Sequence, residues 1–398
     1  MSRNARQDVA PCGRCWFKAI VAITPTITVQ VMWVTAVAVF HTQSASGQLL
    51  LGASLPKKNA SPARSAATDT RSGQQRGKDS AVTANAKAAA GVWSTDDACR
   101  LALKQLAPTV RKVIIWQAAL DRAGFSPGII DGRIGPKTRA GLRAFQKAAG
   151  LPVTGKFDSA TGRGLGIDTV RPLVRYVLTD ADAALVGACP NDWVAKSKAR
   201  WLGFESPAAV ASFRGHCSRK LLAELNAGTR LEKLKAGDAL VLPNVAIDGK
   251  TPKARSVRID FGTKTIVAFD RRGRPVALFH CSIARQKRHR PSGPCKVASI
   301  TLRPKYLFKP ESWPEVKGVH RRLVIPPGPR NPVGLCWIGL SIRGYGIHGT
   351  PQTELIGWTG SHGCFRLSNW DALRLATILR VGVPVRFIDS SAKLARGG

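Results

Sequence analysis

The C-terminal third of the chain places two histidines close to one cysteine: His348, His362 and Cys364. A cysteine attacks a carbonyl carbon as the thiolate, and a free thiol is only a few per cent ionised near neutral pH. A nearby imidazole can take the thiol proton and pair with the sulfur. Side chains two residues apart on an extended strand share a face, so His362 is predicted to lie beside Cys364, with Arg366 adding positive charge there. The pattern therefore indicates a nucleophilic cysteine.

Two other interpretations fit the same three side chains. His348, His362 and Cys364 are ligand types found at catalytic zinc sites, but no obvious fourth ligand and no H-E-x-x-H general base accompanies them. A histidine and a cysteine can also lie near each other with no chemical role. Residue types alone leave these interpretations open, and neither a metal nor a cofactor is predicted.

The elements that must hold these side chains are mostly strands. From Ser256 apolar and polar residues alternate, and turn residues at 270–273 between two apolar runs predict a hairpin. Ser368 can cap a late helix, with Asp371 three residues further on. Residues 255–390 are therefore predicted to form a mainly-β domain that one helix interrupts.

A specific motif occupies residues 347–367. It reads His348-Gly349-Thr350, a spacer, and then Ser-His-Gly-Cys-Phe-Arg-Leu from Ser361. This pattern resembles the L,D-transpeptidase catalytic domain of the YkuD type, in which isoleucine or valine is more usual at the position of Phe365. The resemblance implies a YkuD-like, mainly-β fold for residues 255–390 and an enzyme of the L,D-transpeptidase class.

The resemblance also implies a role for each motif residue. Cys364 is expected to attack the amide bond between stem residue 3 and D-alanine 4 of peptidoglycan, and His348 is expected to be the general base. The thioester then passes to an amine of a second stem, which gives a 3-3 cross-link. L,D-carboxypeptidase or other hydrolase activity on the same stems, and a catalytically silent wall-binding protein, are the alternatives. The expected site comprises Cys364, His348 and His362 as catalytic residues, with Gly349, Ser361, Gly363 and Arg366 at the oxyanion or substrate.

A helical module is predicted at residues 96–170, where turn residues separate apolar helical faces. Its motif residues are Gln117, Gly124-Phe125, Asp131-Gly132, Gly135-Pro136-Lys137-Thr138, Phe145-Gln146, Gly150-Leu151 and Thr154-Gly155. They resemble the small three-helix peptidoglycan-binding domain of cell-wall enzymes. The resemblance implies wall binding, and the alternative is that these turn and core residues only build the helical bundle.

A middle α+β module is predicted at residues 185–247, with helices followed by a short strand from Ala239 to Leu242. The run from Leu221 to Pro243 resembles the second half of a degenerate LysM module, through Leu225-Asn226 and the ending from Gly237. LysM modules bind glycan strands, so the resemblance implies a glycan partner. A spacer that packs against the catalytic domain is the alternative.

An apolar, charge-free stretch of 22 residues runs from Ala19 to Phe40. As a helix it would be about 33 Å long, enough to span a bilayer, and basic residues precede it. Residues 1–47 are therefore predicted to be a signal peptide or membrane anchor, which places the remaining chain in the periplasm or cell envelope. Residues 48–95, rich in small, polar and basic residues, are predicted to be a disordered basic linker.

The chain carries 61 Lys and Arg against 24 Asp and Glu, a net charge of +37. Such a charge favours polyanionic partners. A nucleic-acid binder is opposed by the predicted export segment and by the lack of a zinc-finger pattern or a basic helix with interleaved aromatics. The expected partners are peptidoglycan stem peptides and glycan strands, with residues 19–40 as a membrane anchor if the leader is retained.

The cysteine content favours individual bridges over a disulfide scaffold. Nine cysteines in 398 residues are too few for such a scaffold, but an oxidising compartment allows a few bonds. Cys364 must stay reduced to act. The expected disulfides are Cys189–Cys217 and Cys281–Cys295, because each pair lies within one module.

Overall fold

The computed structural model of the chain describes residues 97–246, 251–313 and 315–391. The predicted signal peptide or anchor (1–47) and the predicted basic linker (48–95) lie outside these residues. Within the described ranges, no helix is both long and apolar enough to cross a membrane. All of the described residues belong to one compact unit.

Residues 97–170 form four helices: α1 (Asp97–Gln105), α2 (Pro108–Arg122), α3 (Pro136–Ala148) and α4 (Ser159–Leu165). Both α2 and α3 begin with a proline, whose missing N–H costs no hydrogen bond in the first turn. The predicted three-helix bundle corresponds to α2–α4. By contrast, α1 contributes Cys99 and Ala102 to the core of the middle module.

Two buried glutamines hold the turns of this bundle. Gln117 Oε1 accepts a hydrogen bond from the Gly132 N–H at 2.9 Å. Gln146 Oε1 accepts one from the Gly155 N–H at 2.8 Å. Both glycines have positive φ angles, +73° and +66°, which disfavour other residues at these turns. These motif residues therefore act in building the module.

The middle module is built around a two-stranded antiparallel sheet of β1 (Leu173–Val177) and β2 (Ala239–Pro243). The strand predicted from Ala239 is confirmed, and its partner β1 lies before the predicted module of residues 185–247. Asn226 closes this unit, because its side chain donates to the Val241 carbonyl at 2.9 Å and accepts from the Val241 N–H at 2.7 Å. The helices between the strands are α5 (Asp180–Ala183), α6 (Trp193–Lys198), α7 (Pro207–Arg214) and α8 (Arg219–Leu225).

The C-terminal domain is mainly β, as predicted, and the Ser368 hydroxyl caps its one α-helix by accepting from the Asp371 N–H at 3.0 Å. The predicted hairpin around residues 270–273 joins β4 to β5. Its elements are β3 (Ser256–Asp260), β4 (Thr265–Phe269), β5 (Pro275–His280), β6 (Cys295–Leu302), β7 (Tyr306–Phe308), β8 (Leu323–Ile325), β9 (Cys336–Leu340), β10 (Gly346–Thr350), β11 (Phe365–Ser368), α9 (Asn369–Ile378) and β12 (Pro384–Ile388).

Eight of the described strands form one sheet in the order β11-β10-β9-β6-β12-β3-β4-β5. The chain beyond β5 returns to the other edge, where Ser282 bridges Arg366 and Ala284 bridges Ser361. The two edges of the sheet therefore meet beside the motif segment. The remaining two strands, β7 and β8, pair as a separate hairpin, and residues 306–325 are called the flap below.

A buried ionic group joins the three modules. Asp121 of α2 is fully buried, and its carboxylate lies 3.0 Å from His216 Nδ1 of the middle module and 3.3 Å from Arg374 Nη1 of α9. Burial alone would raise the pKa of Asp121, but these two partners lower it below its ordinary value. The three modules thus meet at a buried ion pair, and removing either partner would leave a buried charge without compensation.

The two expected disulfides are wrong, because all cysteines in the described ranges are free thiols. Cys281 follows β5 and Cys295 begins β6, and three strands separate β5 from β6 in the sheet. The Cys189 thiol donates to the Gly203 carbonyl at 3.2 Å, whereas Cys217 is buried in the core of the middle module. Membership of one module did not bring either pair together.

Candidate active site

His348 is held in a fixed tautomer on the buried strand β10. It is 5% exposed, and its Nδ1 lies 2.7 Å from the Gly349 carbonyl oxygen. A carbonyl only accepts, so Nδ1 carries the hydrogen and Nε2 keeps a free lone pair. Burial lowers the pKa of His348 to about 4, the hydrogen bond to Gly349 opposes this, and the charge of Arg366 adds to it. The imidazole is therefore a neutral base near pH 7.

Cys364 lies immediately before β11, half-buried at the cavity described below. Its thiol donates to the Gly344 carbonyl at 3.6 Å. Burial raises the pKa of the Cys364 thiol, while a backbone hydrogen bond from Gly346 and the charge of Arg366 oppose that rise. These directions favour a neutral thiol and a neutral imidazole at rest over a standing thiolate–imidazolium pair.

The turn before Cys364 is organised by Ser361. Its hydroxyl donates to the Cys364 carbonyl and accepts from the Gly363 N–H at 3.3 Å. The Ser361 backbone is itself tied to the chain after β5, because its N–H donates to the Ile283 carbonyl at 2.9 Å. Ser361 therefore fixes the backbone that presents the cysteine.

The two-residue spacing predicted that His362 and Cys364 share one face of a strand, and this prediction is wrong. Residues 362–364 form a bend, and β11 begins only at Phe365. The His362 side chain is 58% exposed, with Nε2 3.5 Å from Glu315 of the flap. Its ring meets the Trp313 ring edge-on at 4.9 Å. His362 thus contacts the flap at the rim of the site.

Arg366 and Gly349 lie next to His348, on the neighbouring strand and along the same strand. Parallel pairing of β10 with β11 sets Arg366 opposite His348. A Cβ on Gly349 would lie 2.2 Å from Asn369 Oδ1, so this position requires glycine. The Asn369 amide also accepts from the Leu335 N–H at 2.9 Å, which ties the preceding loop to the same strand. The backbone that orients His348 is therefore fixed by close contact.

These side chains open onto one cavity of about 590 Å³. Six of the seven predicted site residues line it, and the seventh, Gly349, contacts His348 from behind. Among the residues described by the structure, no group of three or more His, Cys, Asp or Glu side chains could hold a metal ion. The predicted residues that line the cavity are His348, Ser361, His362, Gly363, Cys364 and Arg366.

The motif did not identify the aromatic and cationic walls of the cavity. The flap supplies Tyr306 and Trp313, and Trp313 Nε1 donates to the Tyr306 hydroxyl at 2.8 Å. Trp337 of β9 stacks on His348 with ring centres 5.6 Å apart. The middle module supplies Trp193 and Lys196 from α6. In the sequence, the one signal for these wall residues is the aromatic content of their segments. Packing in a hydrophobic core would explain that content equally well.

Two family models match the chain. Residues 254–387 match the L,D-transpeptidase catalytic domain (YkuD), and residues 110–163 match the putative peptidoglycan binding domain. These matches confirm the two domains predicted from the motifs. They also imply peptidoglycan as a partner and the cell envelope as the location. The LysM-like interpretation of the middle module stays a prediction.

Several curated relatives are similar to the catalytic region. The putative L,D-transpeptidase YkuD of Bacillus licheniformis is 29% identical over 176 residues, which cover 44% of this chain and 88% of that protein. The putative L,D-transpeptidase YqjB of Bacillus subtilis is 38% identical over 68 residues, 16% of this chain and 39% of that protein. Together with the family match, these relatives confirm the predicted enzyme class, an L,D-transpeptidase.

Solved structures of L,D-transpeptidases are also similar. L,D-transpeptidase 3 from Mycobacterium tuberculosis, in complex with a faropenem-derived adduct, is 18% identical over 38% of this chain and 67% of that chain, with a TM-score of 0.28. The L,D-transpeptidase from Xylanimonas cellulosilytica is 17% identical over 69% of this chain and 92% of that chain, with a TM-score of 0.29.

Proposed function

We propose that this chain is an exported peptidoglycan L,D-transpeptidase with Cys364 as its nucleophile. In this proposal the enzyme cuts the bond between stem residue 3 and D-alanine 4 and joins the stem to an amine of a second stem. The observation that carries the proposal is that Cys364 and an oriented, neutral His348, both in the matched catalytic domain, line one cavity.

The first half-reaction forms a thioester. His348 Nε2 takes the Cys364 thiol proton as the sulfur attacks the carbonyl carbon of stem residue 3. The Cys364 backbone N–H, beside Gly363, faces the negative oxygen of the tetrahedral intermediate, and such donors are commonly worth about 3 kcal/mol each. The imidazolium then gives its proton to the amide nitrogen, the C–N bond breaks, and D-alanine leaves.

The second half-reaction releases the acyl group. An amine of a second stem attacks the thioester, His348 takes the proton of that amine, and the thiolate of Cys364 leaves and is reprotonated. Water in place of the amine would give an L,D-carboxypeptidase, and the same residues serve both outcomes. Ser361 supports the bend that presents the sulfur, and Arg366 holds positive charge beside it.

The remaining modules fit binding to the same polymer. The match of residues 110–163 to the peptidoglycan binding domain supports wall attachment. A LysM-like role for residues 185–247 would add contacts to glycan strands. The net charge of +37 suits a polymer that bears carboxylates. The apolar segment 19–40 would export or anchor the enzyme, which would work in the periplasm or cell envelope.

Intact-mass spectrometry of the chain with a tetrapeptide-stem muropeptide tests this function. We expect a thioester-sized mass increase and released D-alanine with the parent protein, and neither with Cys364→Ala. Cys189→Ser is the matched control, since this cysteine lies outside the cavity and a hydroxyl can still donate to the carbonyls it contacts. Retained binding to wall sacculi with neither adduct nor release would favour the silent wall-binding protein.

A further inference from the structure

Part of the cavity wall comes from outside both regions that match family models. Helix α6 of the middle module begins after Asp192, whose carboxylate accepts from the Ala195 N–H at 2.8 Å. The Trp193 ring stacks on Phe308 of the flap at 4.2 Å and lies 5.4 Å from the Trp313 ring. Helix α6 therefore packs directly on the flap, which lines the same cavity as Cys364.

The backbone following α6 is fastened to the loop after the flap. The Leu202 N–H donates to the Pro327 carbonyl at 3.0 Å, and the Arg330 N–H donates to the Leu202 carbonyl at 3.2 Å. Gly328, with a φ angle of +146°, lets these chains approach, because a Cβ there would lie 2.1 Å from the Leu202 oxygen. Leu202 is 0% exposed and packs in one cluster with Phe308. These contacts thus hold the middle module's part of the cavity wall in place against the catalytic domain.

This wall presents two cations to the cavity that holds Cys364. Lys196 and Arg330 both line it, and Lys196 Nζ lies over the Trp193 ring, 4.9 Å from its centre. Burial lowers the pKa of Lys196 and the charge of Arg330 lowers it further, while the carboxylate of Asp192 opposes the shift. Arg330 lies 3.3 Å from Glu205, but Arg219 shares that carboxylate. Two half-buried cations that line one cavity favour an anionic ligand there.

We propose that Lys196, together with Arg330, binds a carboxylate of the stem peptide and so determines which stems reach Cys364. The inference rests on the proposed function, which supplies a peptide substrate bearing carboxylates. Trp193 forms the apolar side of this subsite, and the Lys196 side chain packs against its ring. The middle module is thereby a specificity element of the active site in addition to any binding to the wall.

Equilibrium binding to the full chain carrying Cys364→Ala tests the subsite without turnover. The ligands are a tetrapeptide stem with free carboxylates and the same stem with every carboxylate converted to a carboxamide. Lys196→Gln is expected to weaken binding of the free stem about tenfold and to change binding of the amidated stem by less than about twofold. Lys198→Gln, on the exposed side of the same helix, should leave both affinities unchanged.

Equal effects of Lys196→Gln on the two stems, or no effect on either, would overturn the subsite. Release of D-alanine by the parent enzyme is measured separately. Carboxylate-dependent binding through Lys196 without any release would contradict the proposed reaction and leave the subsite standing. Absence of binding of any stem would overturn both.

Discussion

Strand pairing sets Arg366 directly opposite His348 in the parallel ladder of β10 and β11. The guanidinium lowers the pKa of the imidazole and also lowers that of the Cys364 thiol. Burial is the main reason that the base is unprotonated, and the one positive charge of Arg366 adds to this while it stabilises the thiolate that the base produces. Burial acts on both groups as the larger effect, lowering the pKa of His348 and raising that of Cys364, so Arg366 partly offsets the cost of a buried thiolate.

Replacing this charge should alter thiol reactivity even without substrate. Arg366→Gln removes a positive neighbour, so the pKa values of His348 and Cys364 should both rise. We expect alkylation of Cys364 by iodoacetamide at pH 8 to slow by roughly threefold or more. Because iodoacetamide is small and uncharged, the measurement separates this effect from binding of a stem carboxylate. Arg386→Gln, an exposed change on β12, is the control, and equal rates in the two variants would contradict the assignment.

Loss of the base should reduce turnover strongly. His348→Gln removes the Nε2 lone pair, and we expect kcat/KM for D-alanine release to fall by about 10²- to 10⁴-fold. His320→Gln, an exposed histidine of the flap, should leave the rate unchanged. The comparison variant His362→Gln loses its contacts with Glu315 and Trp313. If kcat/KM falls less than tenfold in His348→Gln but falls strongly in His362→Gln, then His362 and not His348 is the general base.

The bend before the cysteine should be sensitive to a single hydroxyl. Ser361→Ala removes the donor to the Cys364 carbonyl and the acceptor for Gly363, and an intramolecular hydrogen bond is worth about 1 kcal/mol. We expect acylation by the stem to slow by about tenfold, because the sulfur and the oxyanion donor share this backbone. Ser361→Thr keeps the hydroxyl and should restore most of the rate. If the threonine variant is as slow as the alanine variant, the rate depends on the volume of the side chain at position 361 and the hydroxyl alone does not determine it.

Local features of the sequence predicted much of the catalytic domain. The Ser368 cap, the hairpin at residues 270–273 and the strand from Ser256 depend on neighbours within a few residues, and the structure confirms each. The motif also predicted that His348 and Cys364 lie at one site, and both line the cavity. Such features follow from side-chain periodicity and turn chemistry, which the sequence contains directly.

Features that depend on distant packing were not predictable in this way. The orientation of His362 differs because hydrogen bonds to Ser361 bend the chain where alternation assumed a strand. Neither expected disulfide formed, since sheet order, which spacing does not determine, separates Cys281 from Cys295. The entry of Lys196 into the site requires α6 to pack on a flap more than 100 residues further along the chain.

A buried histidine that does not line the cavity should shape the acid stability of the protein. His280 is 5% exposed, and its Nε2 donates to the Ser126 carbonyl of the helical module at 3.0 Å. Burial and the charge of Lys137 lower the pKa of His280 from 6.5 to about 4. Between these pH values the unfolded chain binds the proton more tightly, so the free energy of unfolding falls as pH falls from about 6.5 to 4.

The free energy of unfolding of His280→Gln should therefore depend less on pH. We expect the parent protein to lose about 2 kcal/mol more than this variant between pH 7 and 4.5 in urea unfolding. His348 contributes in the same direction, while Asp371, whose pKa burial raises to about 6, opposes both, so the difference between variants isolates His280. His320→Gln should follow the parent. Parallel pH profiles for the parent and His280→Gln would mean that His280 is already charged, or equally solvated, in the folded protein.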